Sequence, residues 1–123
     1  MKFYIAGKWE ERDNIRFIQK QLIRLGHEIT KDWTIDEEGE AGFPVINVVE
    51  DISGVKTADV FVGLFINNLD YKGALVELGA ALAGRKPCYI IGHAMDACIF
   101  LQHPLVTQVD TVGELFKEIA LES

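Results

Sequence analysis

DVFVGLFI, residues Asp59 to Ile66, is a nearly continuous apolar run of single-strand length. Such a run predicts a central strand covered on both faces, because a strand with one wet face would alternate apolar and polar residues. On its N-terminal side, Lys2 to Ala6 (KFYIA) is a short β-prone run ended by Gly7. From Glu11 to Leu25 the pattern changes: Ile15, Ile18, Leu22 and Leu25 recur at spacings of three and four, the stripe of an amphipathic helix, with Gly26 as its stop. His27 to Thr34 (HEITKDWT) reads as a second strand and Ile35 to Gly42 as an acidic surface loop. Pro44 then opens a helical stretch through Lys56. On the C-terminal side, a polar turn from Asn67 to Lys72 leads into a helix over Gly73 to Ala83 (GALVELGAALA), ending near Gly84. Pro87 precedes an apolar strand from Cys88 to Gly92. After a less regular stretch from Asp96 to Pro104, Val106 to Val109 forms a last strand and Val112 to Leu121 a closing helix. Strands alternating with helices imply parallel pairing through right-handed crossovers. The expected fold is therefore a single-domain, three-layer α/β sandwich with about five parallel strands, flavodoxin-like or Rossmann-like.

Composition narrows the function classes. The 123 residues are 49% hydrophobic and 25% charged, a globular balance. Nineteen acidic against twelve basic residues give a net charge of -7, which disfavours nucleic acid polymers and acidic membrane surfaces. No stretch approaches the ~20 apolar residues of a membrane span, and Met1 to Ala6 is too short for a signal peptide. A cytoplasmic protein is expected. Cys88 and Cys98 stand in apolar stretches without metal-ligand spacing, so they read as buried free thiols and no metal site is expected. A chain this short has little core to give up to a deep pocket, which makes help from a second subunit plausible.

In an open parallel sheet the ligand lies beyond the carboxyl ends of the strands, near the point where strand order reverses. That rule singles out Gly7 to Trp9, Asp32 to Thr34, Asn67 to Gly73, and Gly92 onward. Lys8 and Lys72 are available cations, and amides near Gly73 at a helix start could hold an anion. Trp9 either stacks on a flat ligand or caps the sheet edge. Trp33 either flanks a substrate loop or packs, and Asn67 and Asn68 either bind substrate or form a turn. His93 follows the fourth strand, near the expected pocket, whereas His103 and Asp59 read as structural. Glu77 is the conspicuous residue, a carboxylate within an apolar helix. It belongs either to an exposed stripe or to a cleft, where the nearby helix N-terminus would favour its ionised, nucleophilic form.

Tyr4-Ile5-Ala6-Gly7 (YIAG), Glu50 to Asp59 (EDISGVKTAD) and Gly73 to Ala81 (GALVELGAA) occur in that order, and together the sequence resembles the nucleoside 2-deoxyribosyltransferase family and its relatives that hydrolyse deoxynucleoside monophosphates. The resemblance implies a retaining double displacement in which Glu77 attacks the anomeric carbon and a second base or water takes the sugar. It assigns Tyr4 to steadying that nucleophile and Asp51 to substrate binding or proton transfer to the departing base. A further family Asp stands six positions before the nucleophile; here that position is Tyr71, and its neighbour Asp70 becomes the candidate acid. The expected substrate-binding set is Gly7, Lys8, Trp9, Trp33, Asn67, Tyr71, Gly73 and His93, with no metal or cofactor. The family's habit of completing its pocket from an adjacent subunit implies a homo-oligomer. Cleaving an N-glycosidic bond needs an anion under the sugar and a proton donor near the base, which Glu77, Asp51 and Asp70 could supply. Only Ser53 and Ser123 are available as serine hydroxyls for a phosphate, so a nucleoside is the first reading and a monophosphate the second. A binding or sensing module that keeps the pocket without turnover is the third.

Overall fold

Five parallel strands run in the order β2-β1-β3-β4-β5: β1 (Lys2–Ala6), β2 (Glu28–Ile29), β3 (Val60–Leu64), β4 (Cys88–Ile91) and β5 (Val106–Val109). The computed structural model describes residues 1–37, 40 and 42–122. Glu38, Gly39 and Ala41, within the predicted acidic loop, and the terminal Ser123 lie outside the described residues. Four helices cover the sheet: α1 (Arg12–Arg24), α2 (Val45–Thr57), α3 (Lys72–Ala83) and α4 (Val112–Glu122). This is the three-layer α/β arrangement expected from the alternating pattern, with DVFVGLFI supplying the middle strand, all five residues of which are buried.

The period-two alternation of the strands divides the apolar residues between two cores. Phe3 and Ile5 of β1 pack with Ile15, Ile18 and Leu22 of α1 and with Leu115 and Ile119 of α4. Tyr4 and Ala6 face the other way, toward Val55 of α2 and Ala74, Leu78 and Ala81 of α3. Tyr4 is thus carried to the α2 and α3 side by a register that pairs it with Phe61 on β3.

β2 is shorter than the His27 to Thr34 strand that the sequence suggests. Its pairing stops at Ile29 because the Asp32 carboxylate accepts hydrogen bonds from the Thr34 amide at 3.0 Å and the Thr34 hydroxyl at 2.5 Å. These bonds curl the chain into a 3-10 turn at Trp33–Ile35. The β1 carbonyl at Ile5 is satisfied instead by the Trp33 indole N–H at 2.6 Å. A side chain has replaced a strand at this edge of β1. α1 begins at Arg12 rather than Glu11, after a 3-10 turn at Trp9–Glu11. Cys88 is buried as expected, whereas Cys98 is only partly so; both are free thiols.

The strand order places the switch point between β1 and β3. Chain connections leave these two neighbours toward opposite edges of the sheet, which opens a crevice beyond their carboxyl ends.

Candidate functional site

A cavity of about 380 Å³ occupies that crevice, between the end of β1, the start of α2 and the first turns of α3. Tyr4 forms part of its floor, and its hydroxyl donates a hydrogen bond to Oε2 of Glu77, which also lines the cavity. Glu77 is the sixth residue of α3, on the stripe that turns inward from Gly73 and Ala74. Burial pushes its carboxyl up to about 7; the Tyr4 hydrogen bond opposes that rise and the nearby Asp51 charge adds to it. Burial and then the Glu77 charge drive the Tyr4 phenol far above its ordinary range, so Tyr4 stays protonated and acts as a donor.

Asp51 reaches the same cavity from the middle of α2. Burial, reinforced by Asp36 and opposed by Lys31, raises its carboxyl to about 6. Its Oδ1 is buried and has no hydrogen-bond partner among the described residues. α2 comes this close to β1 because the residue one turn beyond Asp51 is Gly54. A Cβ there would stand 2.7 Å from Cβ of Lys31 and 3.0 Å from Cδ2 of Tyr4.

Aromatic rings form the opposite wall. Trp9 meets Trp33 at a centroid distance of 6.4 Å and Phe43 edge-on at 5.6 Å, and all three line the cavity. The Arg12 guanidinium lies 4.6 Å from the Trp9 centroid and donates to the Trp9 carbonyl at 3.0 Å, which fixes the ring. The site therefore combines an aromatic slot, whose rings are inclined to one another, with a carboxylate braced by a phenol and a second carboxyl of raised pKa.

The remaining sequence candidates divide into two groups. Lys8, Asp70 and Tyr71 line a neighbouring cleft of about 310 Å³ that shares Gly7, Trp9, Phe43, Gly73 and Ala74 with the main cavity. Asp70 accepts from the Lys72 amide at 3.3 Å and stands 3.5 Å from the Lys72 ammonium, so its carboxylate is engaged by Lys72 just before α3 and lies outside the lining of the Glu77 cavity. Tyr71 is buried and donates to Oε1 of Glu11 at 2.7 Å, while the Asn67 amide donates to Oε2 of Glu11 at 2.8 Å. These contacts pin the loop after β3 to the turn after β1. Asn67 and His93 line neither cavity. His93 is exposed between Asp96 and Asp110, whose carboxylates raise its pKa.

Several lining residues lie outside the sequence candidates, notably Asp36, Phe43, Asn47 and Ile52. Asp36 carried one available signal: it follows the second strand at the sheet's functional edge. Asn47 and Ile52 carried none, because their helix shows no sharp division into apolar and polar faces. Among the described residues, no group of three or more His, Cys, Asp or Glu side chains is placed to hold a metal ion.

No family model matches the sequence, and no curated protein matches it. Solved structures do. The chain shares its fold with a 2-deoxyribosyltransferase. That protein, from Bacillus psychrosaccharolyticus, superposes with a TM-score of 0.70 at 20% identity, over 94% of this chain and 90% of its own. A CMP N-glycosidase from Clostridium botulinum gives 0.64 at 14% identity, over 98% and 99%. A conserved protein from Enterococcus faecalis V583 gives 0.74 at 15% identity, over 100% and 99%. The likeness extends over nearly the whole chain in each case, so it is a likeness of complete folds. Among the described residues no helix is long and apolar enough to cross a membrane.

Proposed function

We propose that this chain cleaves the N-glycosidic bond of a 2'-deoxynucleoside through a covalent ester with Glu77 and transfers the deoxyribosyl group to another nucleobase. The observation that carries this reading is the Tyr4 hydrogen bond to Glu77 inside a cavity that also holds Asp51 and an aromatic slot. Fold likeness alone would not suffice, since one fold hosts many chemistries. In the proposed reaction the base stacks in the slot formed by Trp9, Trp33 and Phe43. Glu77, ionised, attacks the anomeric carbon, and Tyr4 holds the attacking carboxylate in one rotamer. Asp51, protonated, lies where it can give its proton to the departing base. Its raised pKa and, among the described residues, the absence of a hydrogen-bond partner for its Oδ1 support it for that role over Asp70, whose carboxylate is engaged by Lys72.

Hydrolysis of a deoxynucleoside 5'-monophosphate is the second reading, favoured by the neighbouring cleft, where Lys8 stands near the N-terminus of α3. Glu10 and Asp70 line the same cleft and weaken its attraction for a phosphate, which supports the neutral nucleoside. The proposed assembly is a homo-oligomer. Val45, Ile46, Val48 and Val49 of α2 are exposed in a patch continuous with the cavity-lining Ile52 and Val76, as a surface covered by a second copy would be.

The deciding experiment incubates the protein with a deoxynucleoside, with and without an acceptor base, and separately with a deoxynucleoside monophosphate, resolving products by chromatography. New nucleoside formed only with acceptor identifies transfer. Free base from the monophosphate alone identifies hydrolysis, and binding without turnover identifies a sensing module. Glu77→Ala abolishes either reaction; near-normal activity in that variant would remove Glu77 from the mechanism.

A further inference from the structure

Asp36 has no part in the chemistry proposed above, yet it lines the cavity with a side chain only 12% exposed. Its Oδ1 accepts from the Lys31 ammonium at 3.0 Å, and Lys31 is tethered in turn to Glu50 at 3.5 Å. Among the described residues nothing donates to its Oδ2. Asp51 is near enough for the two carboxyls to perturb each other, and it too lacks a donor at its buried Oδ1. A carboxylate at the cavity edge with one oxygen held by Lys31 and the other unpaired among the described residues is costly to leave so once a ligand excludes water from it. A ligand that occupies the slot and brings a hydrogen-bond donor to this edge removes that cost.

We propose that Asp36 and Asp51 together read the amino-bearing edge of the nucleobase, so that the substrates are nucleosides of adenine or cytosine rather than of hypoxanthine, uracil or thymine. This inference rests on reading the cavity as a nucleobase site. An exocyclic amine donates to Oδ2 of Asp36, whose other oxygen is held by Lys31. The adjacent ring nitrogen accepts the proton that Asp51 carries when it is uncharged. An oxo base instead turns carbonyl lone pairs toward the Asp36 carboxylate, which repels them, and its adjacent ring N–H meets the Asp51 proton instead of accepting it.

The same contact serves bond cleavage. The Asp51 proton passes to the ring nitrogen and the electron pair of the glycosidic bond goes to the base, while a Glu77 oxygen forms the new bond to the anomeric carbon. Asp51 is left as a carboxylate and Glu77 as an ester. The incoming base returns a proton to Asp51 when its ring nitrogen takes the sugar.

The test compares kcat/KM for deoxycytidine against deoxyuridine, and for deoxyadenosine against deoxyinosine, in the wild-type chain and in Asp36→Asn. Binding of the four free bases is measured calorimetrically alongside. The wild type should favour each amino substrate by about tenfold or more, in line with the effect of an unpaired buried polar group. Asp36→Asn, whose amide can also donate, should bring both ratios to within about threefold of unity. Turnover with no amino preference in the wild type, or an unchanged preference in the folded variant, would overturn the inference and leave the proposed reaction standing. Absence of turnover, with adenine and cytosine still bound tenfold tighter than hypoxanthine and uracil and that preference lost in Asp36→Asn, would uphold the inference and remove the reaction. If Asp36→Asn does not fold, the wild-type base preferences decide: equal binding of amino and oxo bases overturns the proposal.

Discussion

Replacing Glu77 by glutamine should make the protein inactive and, at alkaline pH, more stable. Burial lifts the Glu77 carboxyl from 4.5 to about 7, so the folded state holds its proton more tightly than the unfolded chain does. The sign follows from linkage. With a folded pKa above the unfolded one, the favourable contribution is complete below about pH 4.5 and is lost as pH rises through about 7. The difference of 2.5 units between those two values, at about 1.4 kcal/mol per unit, is about 3 kcal/mol of native stability given up at pH 8. Glutamine keeps the shape, can accept from the Tyr4 hydroxyl and carries no charge to desolvate. Urea unfolding of Glu77→Gln at pH 8 should therefore show a midpoint raised by roughly 2 M, taking a slope of about 1.5 kcal/mol per molar for a chain of this size. At pH 4, where the wild-type carboxyl is protonated in both states, the two midpoints should nearly coincide. Destabilisation at pH 8, or an equal gain at both pH values, would refute the idea that Glu77 is held ionised in the cavity at a cost to the fold.

The wild-type profile of kcat/KM should be a bell with apparent pKa values near 6 and 7 that belong to the Asp51 and Glu77 pair. In Tyr4→Phe, loss of a hydrogen bond worth about 1.5–3 kcal/mol to a charged acceptor should move the alkaline limb up by roughly one to two pH units and lower the maximum about 10- to 100-fold. The maximum falls because the active form, with Glu77 ionised and Asp51 protonated, becomes rarer; a pH–rate series with an unmoved alkaline limb would contradict this. Gly54→Ala should destabilise the protein by about 1–3 kcal/mol through overpacking, since the new Cβ meets the Lys31 side chain at 2.7 Å and the Tyr4 ring at 3.0 Å. Thermal melting checks the first effect. The KM and kcat of the folded fraction check whether the displaced Tyr4 ring disturbs the site.

The parts of this molecule that were legible in sequence are those set by periodicity. DVFVGLFI had to be a covered strand, and Ile15, Ile18 and Leu22 had to be a helix stripe, because no other local structure groups those residues into one apolar surface; Leu25, expected to extend that stripe, instead follows the last residue of α1 and is exposed. Glu77 was legible as an exception to its own helix, and Tyr4 through the segment around it. The neighbourhood of Asp36 followed no period. Its position depends on an Asp32 carboxylate that ends β2 early and on a Trp33 indole that takes the carbonyl a third strand residue would have used. Such side-chain contacts with the backbone leave composition and spacing unchanged, so HEITKDWT still looked like a strand. Tyr71 shows the converse difficulty. It stands where a catalytic carboxylate was sought, but its hydroxyl is committed to Glu11, 60 residues away in sequence, and no local pattern announces that pairing. The fold follows from local rules repeated along the chain, whereas the site comes from a few distant pairs, and those pairs place Asp51 and Asp36, rather than Asp70, in the cavity with Glu77.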